Sequence, residues 1–373
     1  MAITITSPTN KYIHAFNDSD TIFTVSTDNV SGSLIRCEVL EQPSNTAVSE
    51  QFAHIIDGSS TFNLRGVLTS YVSSFNNPIT SGTLPAVGAM ARITASESAK
   101  KVKLKFTEFE LETEAASLTS DDIYVLKSAI NEEGTRWHLT LPTNAAYFTY
   151  TYPDTTTTIL KRMAFPNQII PITTMGVVAD NGSTLQFTTN EVVNGVAGST
   201  TYYTAFENVI GINLHVYRNN SAKFKRLRMG LNFSLSWYDQ PTGLDIHTTP
   251  EPCRAKTLYF LNQRGGWEWF NFIDFEVNQT SKKDEYEIYN NSFMGAKSYY
   301  THVEDNNYEY RLYGRYINGT EGYYLRDIIT SPIVLDELGN RVQVLTSRIK
   351  TDVEDLYNPE ITIRYISTNV LNY

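Results

Sequence analysis

The stretch Leu258-Tyr259-Phe260-Leu261-Asn262-Gln263-Arg264-Gly265-Gly266-Trp267-Glu268-Trp269-Phe270-Asn271-Phe272 decides how the rest of the chain reads. An apolar and aromatic run meets polar Asn262-Gln263-Arg264 and the pair Gly265-Gly266, and a second aromatic run follows. Glycine enters the positive-φ region without steric cost, so run, turn and run predict a β-hairpin with both glycines at positive φ. Two of the chain's four tryptophans stand just beyond the turn, and aromatic side chains dominate cores and interfaces. Trp267 is expected to be core and to hold the turn, and Trp269 or Phe270 to reach a neighbouring subunit. Alternation sends Glu268 to the face opposite both tryptophans.

Composition extends the β reading outward. The chain has 373 residues, 12% of them aromatic, with 24 Tyr, and Thr and Asn recur throughout. Such residues favour pleated, half-buried surfaces, which predicts an all-β protein of mainly antiparallel sandwich-like or barrel-like units with a few short helices. The length calls for several domains, read as 1–114, 115–250 and 251–373, with Pro250-Glu251-Pro252 as a stiff boundary.

In the first domain, short strands around Ile3, Ile5, Ile22, Phe23, Val25, Leu34, Ile35, Cys37 and Val39 are separated by Asp, Asn, Ser and Gly clusters, the spacing of a sandwich. Val102-Lys103-Leu104-Lys105-Phe106 alternates as a strand with one wet face. Leu64, Val67, Leu68, Tyr71, Val72 and Phe75 share one helical stripe. The segment 62–70 also aligns without gaps on 323–331, with Leu, Arg, Thr and Ser matching, and Pro332 would cut the second helix short. In the central domain, Ser120-Asp121-Asp122 predicts the cap of a short helix carrying Ile123, Leu126, Ala129 and Ile130. Turns are expected at Asn181-Gly182, Asn194-Gly195 and Asn318-Gly319. Residues 145–158 read as an exposed loop, and 208–217 and 231–238 as central strands. Strands are predicted near 258–262, 267–277, 298–304, 308–317, 342–346 and 360–367.

Thirty basic against forty acidic residues give a formal charge of −10, which disfavours general affinity for nucleic acid, since duplex binding rests on basic side chains at phosphates. Two cysteines, Cys37 and Cys253, make no disulfide framework and are read as buried free thiols. The opening residues lack a basic and an apolar region, so no signal peptide is expected, and no apolar run reaches membrane-spanning length.

The residue patterns that carry catalysis or ligands are missing from the sequence. His14, His54, His138, His215, His247 and His302 are scattered, with no nucleophile elbow nearby. No zinc, calcium or phosphate-cradling spacing occurs, so neither metal nor cofactor is expected. Glu268 between two tryptophans suggests a sugar-cleaving carboxylate, but its side of the strand spoils that arrangement. Positive charge concentrates at Lys223, Lys225, Arg226 and Arg228. That run reads as a solvated or edge strand guarded by charge, or as a patch that meets an acidic surface on a neighbour.

Cys253, Leu258-Tyr259-Phe260-Leu261-Asn262, Gly265-Gly266-Trp267-Glu268, the run Leu325-Arg326-Asp327-Ile328-Ile329-Thr330-Ser331-Pro332-Ile333-Val334-Leu335 and the closing Ile361-Thr362-Ile363-Arg364-Tyr365 resemble the C-terminal region of structural proteins of tailed Bacteroidetes phages, crAss-like phages included. That pattern has Asp where this chain has Glu268, and a Tyr between Val and Leu that is absent here between Val334 and Leu335. The resemblance covers about a third of the chain, roughly 253–366. It implies a non-enzymatic virion protein, a ring or hub component of the tail or neck, assembled in the host cytoplasm. Its expected partners are further copies in a ring and other tail or neck proteins, with DNA only as passing cargo and no membrane insertion. A receptor-binding or carbohydrate-binding tail fibre or baseplate protein is the alternative, with the Tyr-rich and Asn-rich loops as its sugar surface.

Overall fold

The computed structural model describes residues 2–8, 12–16, 18–28, 31–72, 77–80, 84–93, 99–110, 112–126, 145–150, 159–177, 184–193, 196–205, 210–220, 224–231, 243–289, 297–317, 323–349 and 356–365. The protein is all-β, with several sheets, a closed barrel and only short helices among these residues. It divides into two compact units, Met1–Thr248 with Leu261–Glu268, and Thr249–Phe260 with Trp269–Tyr373.

The first unit begins with β1 (Ile3–Ser7), β2 (Tyr12–His14), α1 (Asp18–Thr21), β3 (Ile22–Thr27), β4 (Ser31–Glu41), β5 (Thr46–Ile56), β6 (Ser59–Asn63), α2 (Arg65–Tyr71), β7 (Met90–Ile93), β8 (Ala99–Glu110), β9 (Thr113–Thr119) and β10 (Ile123–Leu126). All these strands except β7 form one sheet in the order β1-β3-β6-β5-β4-β8-β10-β2, with β9 on β8. Alternation makes it one-sided. Ile35, Cys37 and Val39 of β4 and Val102, Leu104 and Phe106 of β8 are fully buried, and pack with Phe23, Val25 and Phe62 against Leu64, Leu68 and Val72. The predicted helical stripe therefore supplies the cover of this core, ending at Tyr71, while Phe75 lies outside the described residues.

Two expectations fail in this sheet. Ser120-Asp121-Asp122 caps no helix: Ile123–Leu126 is a strand held between β8 and β2, with Ile123 and Val125 buried and Tyr124 half-buried. Ile-Tyr-Val carries the period of a strand, and Ser120 instead accepts the Leu104 amide through its hydroxyl at 2.9 Å. The boundary at 114 also falls inside the sheet, because β9 and β10 belong to it.

Two further sheets complete the unit, from β11 (Ala145–Phe148), β12 (Ile159–Ala164), β13 (Ile169–Val177), β14 (Thr184–Val193), β15 (Val196–Ala205), β16 (Ile210–Arg218), β17 (Phe224–Leu231) and β18 (Gly243–Thr248). One runs β11-β13-β16-β7, so a strand from the expected N-terminal domain closes a sheet of the central one; the other runs β12-β18-β17-β14-β15. The expected loop at 145–158 is strand at Ala145–Phe148 and buried at Thr149 and Tyr150. The Tyr150 hydroxyl donates to the Pro171 carbonyl at 2.7 Å, which is what lets so large a polar ring be enclosed. Val193 pairs with Val196 across Asn194-Gly195. Those two residues, with Asn181-Gly182, Asn318-Gly319, 151–158 and 232–238, lie outside the described residues.

The second unit is a closed barrel of β19 (Lys256–Leu261), β20 (Trp267–Tyr289), β21 (Lys297–Gly314), β22 (Val334–Leu335), β23 (Arg341–Val344) and β24 (Glu360–Tyr365), ordered β19-β20-β21-β24-β23-β22. Leu258, Phe260, Phe270, Phe272, Leu312, Ile361 and Ile363 fill it, with Tyr324, Leu325 and Ile328 from a 3-10 turn (Tyr323–Leu325) and α3 (Arg326–Thr330). The two strands expected at 298–304 and 308–317 are one. The echo between 62–70 and 323–331 has a local counterpart, since helices begin at Arg65 and Arg326 after Leu64 and Leu325. The second stops after five residues, with Ser331 extended (φ −62°, ψ 130°) ahead of Pro332.

Candidate functional site

The turn between β19 and β20 is built around Asn262. Its backbone N–H donates to the Gly266 carbonyl at 2.8 Å and its carbonyl accepts the Gly265 N–H at 3.0 Å. Its side-chain oxygen accepts the Arg264 and Gly266 amides at 3.0 and 2.8 Å. Its Nδ2 donates to the Thr149 carbonyl at 2.7 Å and to Glu268 Oε1 at 3.0 Å. An Asn at this position folds the chain onto itself, and here it also ties the turn to β11's continuation.

The two glycines act differently. Gly265 sits at φ 79° and is conformational. Gly266 is not at positive φ; a Cβ there would lie 2.8 Å from Thr149 Cβ and 2.9 Å from its carbonyl oxygen. Close approach, not backbone conformation, demands glycine at 266. Trp267 is 3% exposed and its amide donates to Thr173 Oγ1 at 3.0 Å. Glu268 is on the other face of the strand, as alternation requires, and is equally enclosed. Its Oε2 meets Arg162 Nη2 at 2.8 Å, with side-chain exposures of 0% and 4%. The guanidinium also lies over the Tyr150 ring, 6.0 Å from its centroid, and burial, with Glu268 beside it, pushes the Tyr150 hydroxyl well above its ordinary pKa.

Chemically this cluster is a lock rather than a reaction centre. Both oxygens of Glu268 are engaged and no part of it meets solvent, so no sugar reaches the carboxylate. His215, on β16, is 1% exposed, and burial, then Arg92, pulls it down to about 3. Among the described residues no group of three or more His, Cys, Asp or Glu could hold a metal ion.

Two of the expected subunit contacts are enclosed. Trp269 is 1% exposed and Phe270 5%, both inside the chain. Phe270 packs edge-on to Phe272 and lies where a Cβ on Gly314 would meet it at 2.9 Å, so the barrel itself takes up this aromatic area. Lys225, Arg226 and Arg228 lie on β17, paired with β14 on one side and β18 on the other, so the basic run is an interior strand and not an edge. Lys223 lies outside the described residues. Cys253 is exposed, against the expectation of two buried thiols; Cys37 is buried, and burial pushes its thiol up to about 12.

The feature that sequence reading missed is the length of β20 and β21, 23 and 18 residues. A strand of about 5–6 residues is usual. β24 pairs with β21 only over Glu309–Tyr313. From Gln279↔Tyr308 to Tyr289↔Lys297 the two strands pair only with each other among the described residues, a ribbon of about 33 Å at the ordinary strand rise. Lys282 pairs with Asp305 and Lys283 with Val303, so Glu304 is a bulge that sharpens the twist. The ribbon's runs contain Tyr286, Tyr289, Tyr299, Tyr300 and Tyr308, a residue type enriched at interfaces. The alternating Tyr286 and Ile288 before 290–296, and Tyr299, Thr301 and Val303 after it, were the available signal.

No family model matches the chain, and no curated protein matches it. Among solved structures, the crystal structure of chicken CNTN1 FN1-FN3 domains aligns over 84% of this chain and 91% of that one, at 9% identity and a TM-score of 0.19. A likeness at that score carries no argument.

Proposed function

We propose that this chain is a structural protein of a tailed-phage virion, a ring or hub component of the tail or neck, and that the β20–β21 ribbon joins it to its neighbours. The ribbon is the observation that carries the reading. A two-stranded ribbon is marginal by itself in water, and each outer edge offers a row of backbone donors and acceptors that an added strand satisfies. The resemblance of residues 253–366 to phage structural proteins gives the setting, and the acidic balance suits a wall past which DNA slides without binding.

The test replaces residues 280–307 by a two-residue Asn-Gly turn, which closes the Gln279↔Tyr308 pair, in the phage genome or in a co-expressed set of virion proteins. The trimmed chain is expected to melt like the parent, because the barrel core lies outside the removed part, and to be missing from assembled particles. Normal incorporation of the trimmed chain would refute the ribbon's role. Glycan binding by a free monomer or trimer, with the chain absent from the tail and neck in cryo-microscopy of the virion, would favour the fibre reading instead.

A further inference from the structure

We propose that the outer face of β5 is a homotypic contact, on which a second copy of this chain packs face to face about a two-fold axis through Phe52. This contact does not depend on the virion reading or on the ribbon.

β5 is atypical of the sheet it belongs to. Its neighbour β4, and β8 beyond it, show half-buried outer residues, many of them charged, whereas β5 exposes Val48 at 41%, Phe52 at 54% and Ile56 at 70%. Glu50 and His54 stand between them and are also exposed. Glu50, Phe52 and His54 alternate on one face, opposite Glu38, Arg36 and Leu34 of β4, and Val48 sits at the bulge between the Val39 and Leu40 pairs. Exposed apolar side chains grouped in this way, unlike single ones, mark an interaction site.

The order of residues selects the partner. Read in either direction from Phe52, the stripe is aromatic, then charged or ionisable, then apolar, with the acid on one arm and the base on the other. An antiparallel two-fold through Phe52 sets Phe52 on Phe52, Glu50 on His54, and Val48 near Ile56 of the other copy, with every pair occurring twice. Such self-complementarity is what an isologous interface requires. Glu50 supplies the charge argument independently. It lies directly across from Glu38, a like-charge pair that disfavours the sheet. The nearby cations are committed to Glu38, with Arg36 at 3.3 Å and Lys105 at 3.6 Å. Among the described residues no ion pair is made by Glu50 or His54 within the chain. A second copy brings each its counterpart.

The contact is a stacking of faces, because the edge of β5 is closed at one end. Ile56 pairs with Ser59 of β6, and the His54 carbonyl accepts the Ser60 hydroxyl at 2.9 Å. Stacked sheets cross at roughly 30° and about 10 Å apart, so the three central rows match best and the Val48 and Ile56 rows are looser.

The experiment is sedimentation equilibrium of the full chain over a concentration series, with the melting temperature of each variant confirming that it folds. The parent is expected to dimerise. Phe52→Glu should weaken the dimer by about 30-fold or more, as loss of a central aromatic anchor does. Glu50→Lys and His54→Glu should each weaken it by on the order of tenfold, and the double variant should recover most of that loss. A parent that stays monomeric at high micromolar concentration overturns the proposal, as does a dimer indifferent to Phe52→Glu. A double variant no better than the worse single one overturns the antiparallel register, and with it the choice of a second copy as occupant.

Discussion

Changing Glu268 to Gln should cost the first unit roughly 3–5 kcal/mol, the range for removing one partner of a buried ion pair. The structure says why the isosteric change is so damaging. Glu268 accepts from Arg162 on one oxygen and from Asn262 on the other. Gln keeps one acceptor and turns the other atom into a donor, which must then face a donor in a space closed to bulk solvent. Arg162→Met leaves the carboxylate with fewer partners in the same enclosure and should lose a similar amount. Removing both charges together, as Arg162→Met with Glu268→Met, discards the desolvation burden as well as the attraction, and Asn262 keeps Thr149 as an acceptor. The double variant should therefore lie within about 1–2 kcal/mol of the parent, with a coupling of several kcal/mol between the sites. Guanidinium titration followed by tryptophan fluorescence measures all four proteins. Single variants within about 1 kcal/mol of the parent, or losses that simply add, would refute the view that this pair is buried and mutually dependent.

The glycines of the same turn separate two causes. Gly265→Ala should cost about 1–2 kcal/mol for a side chain at positive φ, and Gly266→Ala more, because its Cβ must displace Thr149; equal losses in the same titration would contradict the distinction. Iodoacetamide on the folded chain should modify Cys253 alone by mass spectrometry, and Cys37 only in denaturant, since burial both hides it and holds its thiol protonated. His215 should make the protein acid-labile. With a folded value of about 3 against an ordinary 6.5, the unfolded chain takes a proton that the folded one refuses, so stability is full above pH 6.5 and falls as pH drops from there towards 3. His215→Gln should flatten that part of the stability profile.

What was legible in the sequence was whatever is written in local period. The alternation of β4 and β8, the stripe of α2, the punctuation at Pro332 and the hairpin at 258–272 are each specified by residues within a turn or two of one another. Errors arose where a local signal was outbid by partners distant in sequence. Ser120-Asp121-Asp122 has the composition of a cap, but Ile123 and Val125 gain more by completing a sheet between β8 and β2 than four residues gain as one helical turn. The Glu268 case is the sharper one. Alternation correctly puts the carboxylate opposite the tryptophans, and the ordinary expectation for a charged residue opposite a buried face is solvent. That expectation fails because Arg162 and Thr149 arrive from more than a hundred residues away. Nothing near Arg162 in sequence distinguishes it from a surface arginine. Asn262 was the one local clue. An Asn that starts a turn spends its side-chain oxygen on the turn's own amides, which leaves its two amide protons pointing away, and in a buried turn those protons need acceptors. Thr149 and Glu268 are those acceptors. The enclosed carboxylate follows from the Asn once the turn is known to be buried, and burial of the turn is the fact that no local pattern carries.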